Sequence, residues 1–356
     1  MLTKIFFVIE KHINNFANNR RSKIFEKSIK SKIVKPFALT KEQKTELKKV
    51  YKKYHSTKFD SVAFYTQKTG IFNKYYIPDG LWYGFIDTYY NPPKIAKIFD
   101  SKTLYSRILS DSEIEHPNSV AFKINGYWVN GKFEPTDICQ MVENLKDGRF
   151  FVKQTEESNS GHGVKSFEMP QEREDLINYL ENLKVNAVIQ EGIDQHDTLA
   201  QLHPHSVNTI RVLTFLTKEG SVEVLSSILR MGRNMSFVDN ACSGGLTVGI
   251  KSDGQLKTVG YDVEGNKYEM HPDTQVKFEK IQLPNFPTII KTIKRLAWKL
   301  PQTRLISWDI AVTQSGKPLL IEINLERGQL DFHQLNNGPV FGDYTEEILK
   351  EVFNKH

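Results

Sequence analysis

The stretch ISWDIAVTQSGKPLLIEIN, residues 306–324, limits the architecture more than any other part of the chain. Two runs of alternating apolar residues flank Ser315-Gly316, so the segment reads as a β-hairpin with a two-residue turn. In the first strand Ile306, Trp308, Ile310 and Val312 fall on one face, and Ser307, Asp309 and Ala311 on the other. In the second, Leu319, Ile321 and Ile323 lie opposite to Leu320, Glu322 and Asn324. That turn sets Asp309 directly across from Glu322, with Asn324 one step further along the same face, and keeps Trp308, Ile310, Ile321 and Ile323 together on the other. Cross-strand Cβ atoms lie about 5 Å apart. Two anions at that separation repel by about 3 kcal/mol at an effective dielectric near 20. A fold tolerates this by exposing both groups as an acidic strand face, by protonating one, or by holding a cation. Mg²⁺ takes oxygen ligands, commonly one or two carboxylates together with substrate phosphates. Asp309, Glu322 and the amide oxygen of Asn324 supply such a set.

The rest of the chain reads as mixed helix and antiparallel strand, an α+β protein of 356 residues. Leu2, Ile5, Ile9, Ile13 and Phe16 recur at helical spacing, suiting either an interfacial helix or one packed on its own domain, the latter preferred. Thr40 and Gln43 form a capping box ahead of the stripe Leu47, Val50, Tyr51 and Tyr54. Residues 61–95, rich in Tyr, Gly and Pro, read as turns and short strands. Strands are expected at 149–154, 187–193, 209–217 and 222–232, the last two as a hairpin around Glu219-Gly220. Helices are expected after Pro135 to Asn144, from Pro170 to Leu183, from Thr288 to Leu300 and from Tyr344 to the end.

Charge is unevenly placed. Residues 1–58 hold 16 Lys and Arg against 4 Glu, a net of +12 on a chain of +6, so the remainder sums to −6. A basic front end on an acidic body suits an anionic neighbour, with a membrane leaflet or polyanionic glycan ranked above nucleic acid, for which no aromatic-interleaved sheet or zinc finger is present. No apolar run approaches a membrane span, and the start, with five apolar residues from Ile5 to Ile9, does not read as a secretory signal. Two cysteines, Cys139 and Cys242, read as reduced thiols in cytoplasm. His196, His203 and His205 fit no zinc spacing and read as loop histidines.

SNSGHGVKS, residues 158–166, fails as a P-loop because Val164 separates Gly163 from Lys165. A strand ending near Lys153 and followed by the Ser/Gly run from Ser158 to Gly163 still suits a phosphate lid, since amides beside glycine approach phosphate oxygens closely.

These features, in this order, resemble the ATP-grasp family over residues 96–340. Lys102 in FDSKTLYSRIL resembles its first phosphate lysine, although Ser101 separates it from Asp100; Lys153 resembles the second. Ser158, Ser160, Gly161 and Gly163 resemble the glycine-rich loop. VIQEGI, with Gln190, Glu191 and Ile193, resembles the adenine hinge, and Asp197 the acid that holds ribose. Asp309, Glu322 and Asn324 resemble its metal triad. HSVNTIRVLTFL, ILRMGRNMSFVDNACSGG and SWDIAV are similar to the sugar-transfer-associated branch, which also has a Tyr-rich stretch like YYIPDGLWYGFI.

The resemblance implies two α+β lobes clasping ATP behind a basic helical region: residues 1–95, then a nucleotide lobe at 96–200 and a metal-bearing lobe at 201–356. It implies ATP and Mg²⁺ as cofactors, with Arg211 and Arg230 on a carboxylate or acylphosphate and Asn208, Asn240, Gly244 and Gly245 shaping an acceptor pocket. The implied activity is a carboxylate–amine or carboxylate–hydroxyl ligase working through an acylphosphate. Its substrate would be a small-molecule or lipid-linked sugar precursor of a surface polysaccharide, with an amino acid as co-substrate. The expected place is the cytoplasm, with peripheral contact at the inner membrane face through residues 1–58. A glycan kinase and a non-catalytic nucleotide-binding adaptor at a membrane assembly are the competing readings.

Overall fold

The computed structural model describes residues 2–34, 37–99, 102–103, 114–155, 163–237, 239, 244–326 and 328–353, with side chains from Ile13 onward. The chain opens with α1 (Leu2–Ser31), α2 (Lys41–Tyr51) and α3 (Asp60–Thr69). The capping box forms: Thr40 Oγ1 accepts from Gln43 N at 3.2 Å, and Gln43 Oε1 accepts from Thr40 N at 2.9 Å. Leu47, Val50 and Tyr51 are buried as the stripe requires.

Residues 61–95 hold no short strands: they are mostly helical, with turn and irregular backbone confined to 70–78 and 91–92. After α3 come α4 (Asp79–Leu81), a π-helical turn (Trp82–Ile86), α5 (Asp87–Tyr90) and α6 (Pro93–Phe99). The reason is burial on all sides. Six consecutive residues of α3, Ser61 to Thr66, are buried, so no polar face is left to mark a helical period. The second half of α1 lies on this layer, with the Phe25 and Tyr83 rings stacked at 3.8 Å. The approach requires glycine at position 84, where an added Cβ would stand 2.9 Å from the carbonyl oxygen of Asn18. Ile13 and Phe16, one turn apart in the first half of α1, are exposed at 61% and 73%.

Two antiparallel sheets follow. The first has the order β2-β1-β5-β3-β4 and comprises β1 (Ser119–Ile124), β2 (Tyr127–Asn130), β3 (Gly148–Gln154), β4 (Val164–Met169) and β5 (Ala187–Glu191). One face carries α7 (Ile138–Glu143) and α8 (Arg173–Asn182), both shorter than their sequence signals, over a core that includes Phe150, Val152, Phe167, Leu176 and Ile189. After the short α9 (Asp197–Ala200), the second sheet has the order β10-β9-β8-β7-β6-β11-β12. Its strands are β6 (Thr209–Leu216), β7 (Val222–Met231), β8 (Leu246–Ile250), β9 (Leu256–Tyr261), β10 (Lys267–Tyr268), β11 (Leu305–Val312) and β12 (Pro318–Asn324).

Both faces of this sheet are covered, which is why β6 and β11 are buried at every position. On one face α10 (Phe286–Ala297) meets Ile210, Val212, Trp308 and Ile310. Trp298 stands just beyond α10 and is half exposed. On the other face Leu213, Phe215 and Leu305 join one core with the N-terminal helices, α11 (Leu330–Asn337) and α12 (Thr345–Phe353).

The closing hairpin departs from its sequence reading twice, and the departures cancel. Val312 pairs with Pro318, and Thr313 N donates to Lys317 O at 2.9 Å, so the loop is the three residues Gln314-Ser315-Gly316, not a two-residue turn. Gly316 takes the left-handed conformation (φ 78°) that this loop needs. A bulge between Asp309 and Ile310 then restores the register, and Asp309 does pair with Glu322. Because of the bulge, Leu320 takes the core position expected of Ile321, and Ile321 turns to the cavity.

Candidate active site

Alternation along β6, β7 and β11 aims one set of charges to one face. Odd positions of β6 oppose the α10 side, so Arg211 stands beside Asp309 in the β6–β11 register, and Arg230 lies across from Thr209. Asp309, 3% exposed, accepts from Arg211 Nε at 2.7 Å, Arg211 Nη2 at 2.6 Å, Arg230 Nη1 at 3.0 Å and Asn324 Nδ2 at 3.2 Å. Those four bonds fill the acceptor capacity of a carboxylate. Burial pushes the Asp309 carboxyl up, but Arg211 and Arg230 outweigh it and hold it below the usual carboxylate value. Glu322 is bound separately, by Lys102 Nζ at 2.7 Å. The crowding of Asp309 and Glu322 is thus offset by three protein cations, a solution not among the sequence-based alternatives.

The opposite wall comes from the first sheet. Lys153 on β3 faces a cavity of about 1250 Å³ that also takes in Lys102, Glu191, Arg211, Arg230 and Glu322. Burial, then the charge of Lys102, pull Lys153 down to about 8, while Glu322 and Asp239 act the other way. The segment expected as the hinge, at the end of the central strand β5, contributes Glu191 and Ile193 to the cavity wall.

The remaining expected residues separate. Gln190 donates to Ser119 Oγ at 3.1 Å and is not on that wall; Asp197 is exposed at the start of α9. Asn208, fully buried, ties its own loop together by donating to the carbonyls of Leu199 and His203 at 2.8 and 2.9 Å. Gly163 is placed beside β3, where its carbonyl accepts from Gln154 N at 3.1 Å. Ser158, Ser160, Gly161 and Asn240 lie outside the described residues, as does Cys242. Among the described residues there is no group of three or more His, Cys, Asp or Glu side chains that could hold a metal.

Sequence reasoning passed over Asp239 and Gln329. Asp239 accepts from Thr209 Oγ1 and sits 3.4 Å from Arg230 Nη2; burial raises its carboxyl, against Arg230 and Thr209. Gln329 accepts from Arg211 Nη1. Asp239 had a signal, since it is the middle residue of the Val238-Asp239-Asn240 run. Gln329 had none, because its loop meets β6 only in the folded chain.

Comparison with known proteins places this geometry. Residues 85–350 match the family model described as "Sugar-transfer associated ATP-grasp". No curated protein sequence matches the chain. Among solved structures, the ATP-grasp ligase PsnB in complex with minimal precursor is 14% identical over 74% of this chain and 64% of its own, with a TM-score of 0.43. N5-carboxyaminoimidazole ribonucleotide synthetase from Thermotoga maritima is 10% identical over 75% and 52%, with a TM-score of 0.41. The L-amino acid ligase from Bacillus licheniformis is 14% identical over 72% and 48%, with a TM-score of 0.40. The chain therefore spans between about half and two thirds of the length of these proteins. The family model covers most of the chain, including β6, β7, β11 and β12 with their charges, and on that match the chain belongs to the sugar-transfer-associated ATP-grasp family, with an α+β fold.

Proposed function

We propose that the chain is an ATP- and Mg²⁺-dependent ligase. It activates a carboxylate as an acylphosphate and joins it to an amine or hydroxyl on a surface-polysaccharide precursor, with an amino acid as co-substrate. The observation that carries the reading is the convergence of Lys102, Lys153, Arg211 and Arg230 on one cavity. Phosphoryl transfer from ATP to a carboxylate brings two anions together, so charge neutralisation and positioning dominate the catalysis. Lys102 and Lys153 bind phosphate oxygens; Arg230, held by Asp309, receives the carboxylate. Glu322 and Asn324 reach the cavity with oxygen donors suited to a hard cation and would hold Mg²⁺. Asp309 belongs to the same expected set, and its ligation requires Arg211, Arg230 or Asn324 to give up one of its four bonds. Held there, the ion would supply charge neutralisation for the nucleotide's phosphates. Hydroxylamine tests the reading. With Mg-ATP and a pool of amino and sugar acids, the ligase yields a hydroxamate and ADP; a phosphomonoester without hydroxamate would make the protein a kinase instead.

Peripheral membrane contact through residues 1–58 is part of the proposal, at the cytoplasmic face. Among the described residues no helix is long and apolar enough to cross a membrane. Its support is the +12 charge of this segment with Ile13 and Phe16 left uncovered on α1. Phe16→Ser is expected to cut co-sedimentation with phosphatidylserine vesicles severalfold, with no change in melting temperature. Equal binding of variant and parent would remove the membrane from the account.

A further inference from the structure

The cavity is lined by more than the reaction centre. One arm of its wall is formed by Lys32 after α1, Asp79 at the head of α4, Tyr83 on the π-helical turn and Asp331 in the first turn of α11. The nucleotide reading uses none of these four residues. Two carboxyls in the arm share one ammonium: Lys32 Nζ stands 3.8 Å from Asp331 and also donates to the carbonyl of Val263 at 2.9 Å. Tyr65 donates to Asp79 Oδ1 at 2.6 Å, and Tyr83 accepts from Leu330 N at 3.0 Å. On the same cavity Arg230, 6% exposed, has no hydrogen-bond partner for its Nε among the described residues.

On the ligase reading above, we infer that the N-terminal helical region builds the nucleophile's subsite, and that the nucleophile is a primary amine bound as its ammonium between Asp79 and Asp331. A hydroxyl needs no counter-charge, whereas an arm with one negative charge in excess is completed by a cation. The unpartnered Nε of Arg230 marks the acyl end, so the two co-substrates meet head to head near Arg211. Asp79 takes one proton from the ammonium. The freed nitrogen lone pair forms a bond to the acyl carbon, the C–O bond to phosphate breaks with its electron pair on the phosphate, and the phosphate carries away the second nitrogen proton. Geometry and titration agree. Burial first, then Asp331, push Asp79 up to about 7, against Tyr65, Lys32 and Ser61; burial raises Asp331 as well, against Lys32. A base of this strength accepts a proton near neutral pH.

The test uses ethanolamine, an ammonium at neutral pH, and ethylene glycol, its neutral counterpart, as probes of the full-length protein by saturation-transfer difference NMR. Ethanolamine is expected to be saturated and ethylene glycol not. Asp79→Asn and Asp331→Asn are each expected to lower the ethanolamine signal at least fivefold, and in the parent protein the signal should fall as pH drops from 8 to 6. Asp331 reaches solvent at the cavity, so Asp331→Asn decides the matter if Asp79→Asn does not fold. Equal saturation of both probes, or an ethanolamine signal unchanged in Asp331→Asn, would overturn the subsite. The ligase reading fails separately, through absence of hydroxamate from the parent protein.

Discussion

Asp309→Asn is expected to lower the unfolding free energy by about 3–5 kcal/mol, the usual cost of breaking a buried ion pair from one side, and to abolish turnover. Arg211 and Arg230 both lose their shared counter-charge while buried at 4% and 6% exposure. Asp239 and Gln329 reach only one terminal nitrogen each. The same network sets a pH dependence. Because the folded state holds Asp309 below the ordinary carboxylate value of about 3.9, its contribution is complete above that value and is lost as pH falls through the lower folded one. Urea denaturation between pH 3 and 7 reads both effects: the parent should lose this contribution below about pH 4, and the variant should have none to lose. A variant as stable as its parent would mean that the arginines are held by something other than Asp309.

Lys153→Met is expected to cost about 10²–10³ in turnover, the range found when one preorganised donor to developing charge is removed. Stability should move the other way. Lys153 is held down to about 8 by burial and then by Lys102, so the folded protein carries this ammonium at a cost below that pH, and methionine relieves it. The parent should also show kcat/KM for ATP falling as pH rises through about 8, as the free enzyme loses the Lys153 charge. Paired rate and melting measurements check the opposition. A destabilised variant with near-normal turnover would assign Lys153 to the fold instead.

The hairpin at 306–324 was legible because an acid recurring on an apolar strand is conspicuous in one dimension. The facing of Asp309 and Glu322 follows from alternation alone, even though the loop has three residues and a bulge makes up the difference. The counter-ions were not legible in that way. Arg211 lies 98 positions from Asp309 and meets it only through the β6–β11 register. Arg230 was found as a site residue through motif resemblance, but its attachment to Asp309 needs β7 to lie beside β6. Residues 61–95 misled because aromatic and glycine-rich composition suggests strand and turn, while a helix buried all round has no period to read. The same blindness hid Asp79 and Tyr83, whose place in the cavity depends on α1 crossing glycine 84 at close range.

The Lys102–Glu322 and Arg211–Asp309 cluster is, on the ligase reading, a seat for Mg-ATP. Calorimetric titration of ATP into the full-length protein, with Mg²⁺ and then with the ion chelated, measures this. One nucleotide is expected per chain, with binding that weakens sharply without Mg²⁺ and is lost in Lys153→Met. Absence of binding, or binding indifferent to both the ion and Lys153, would contradict it.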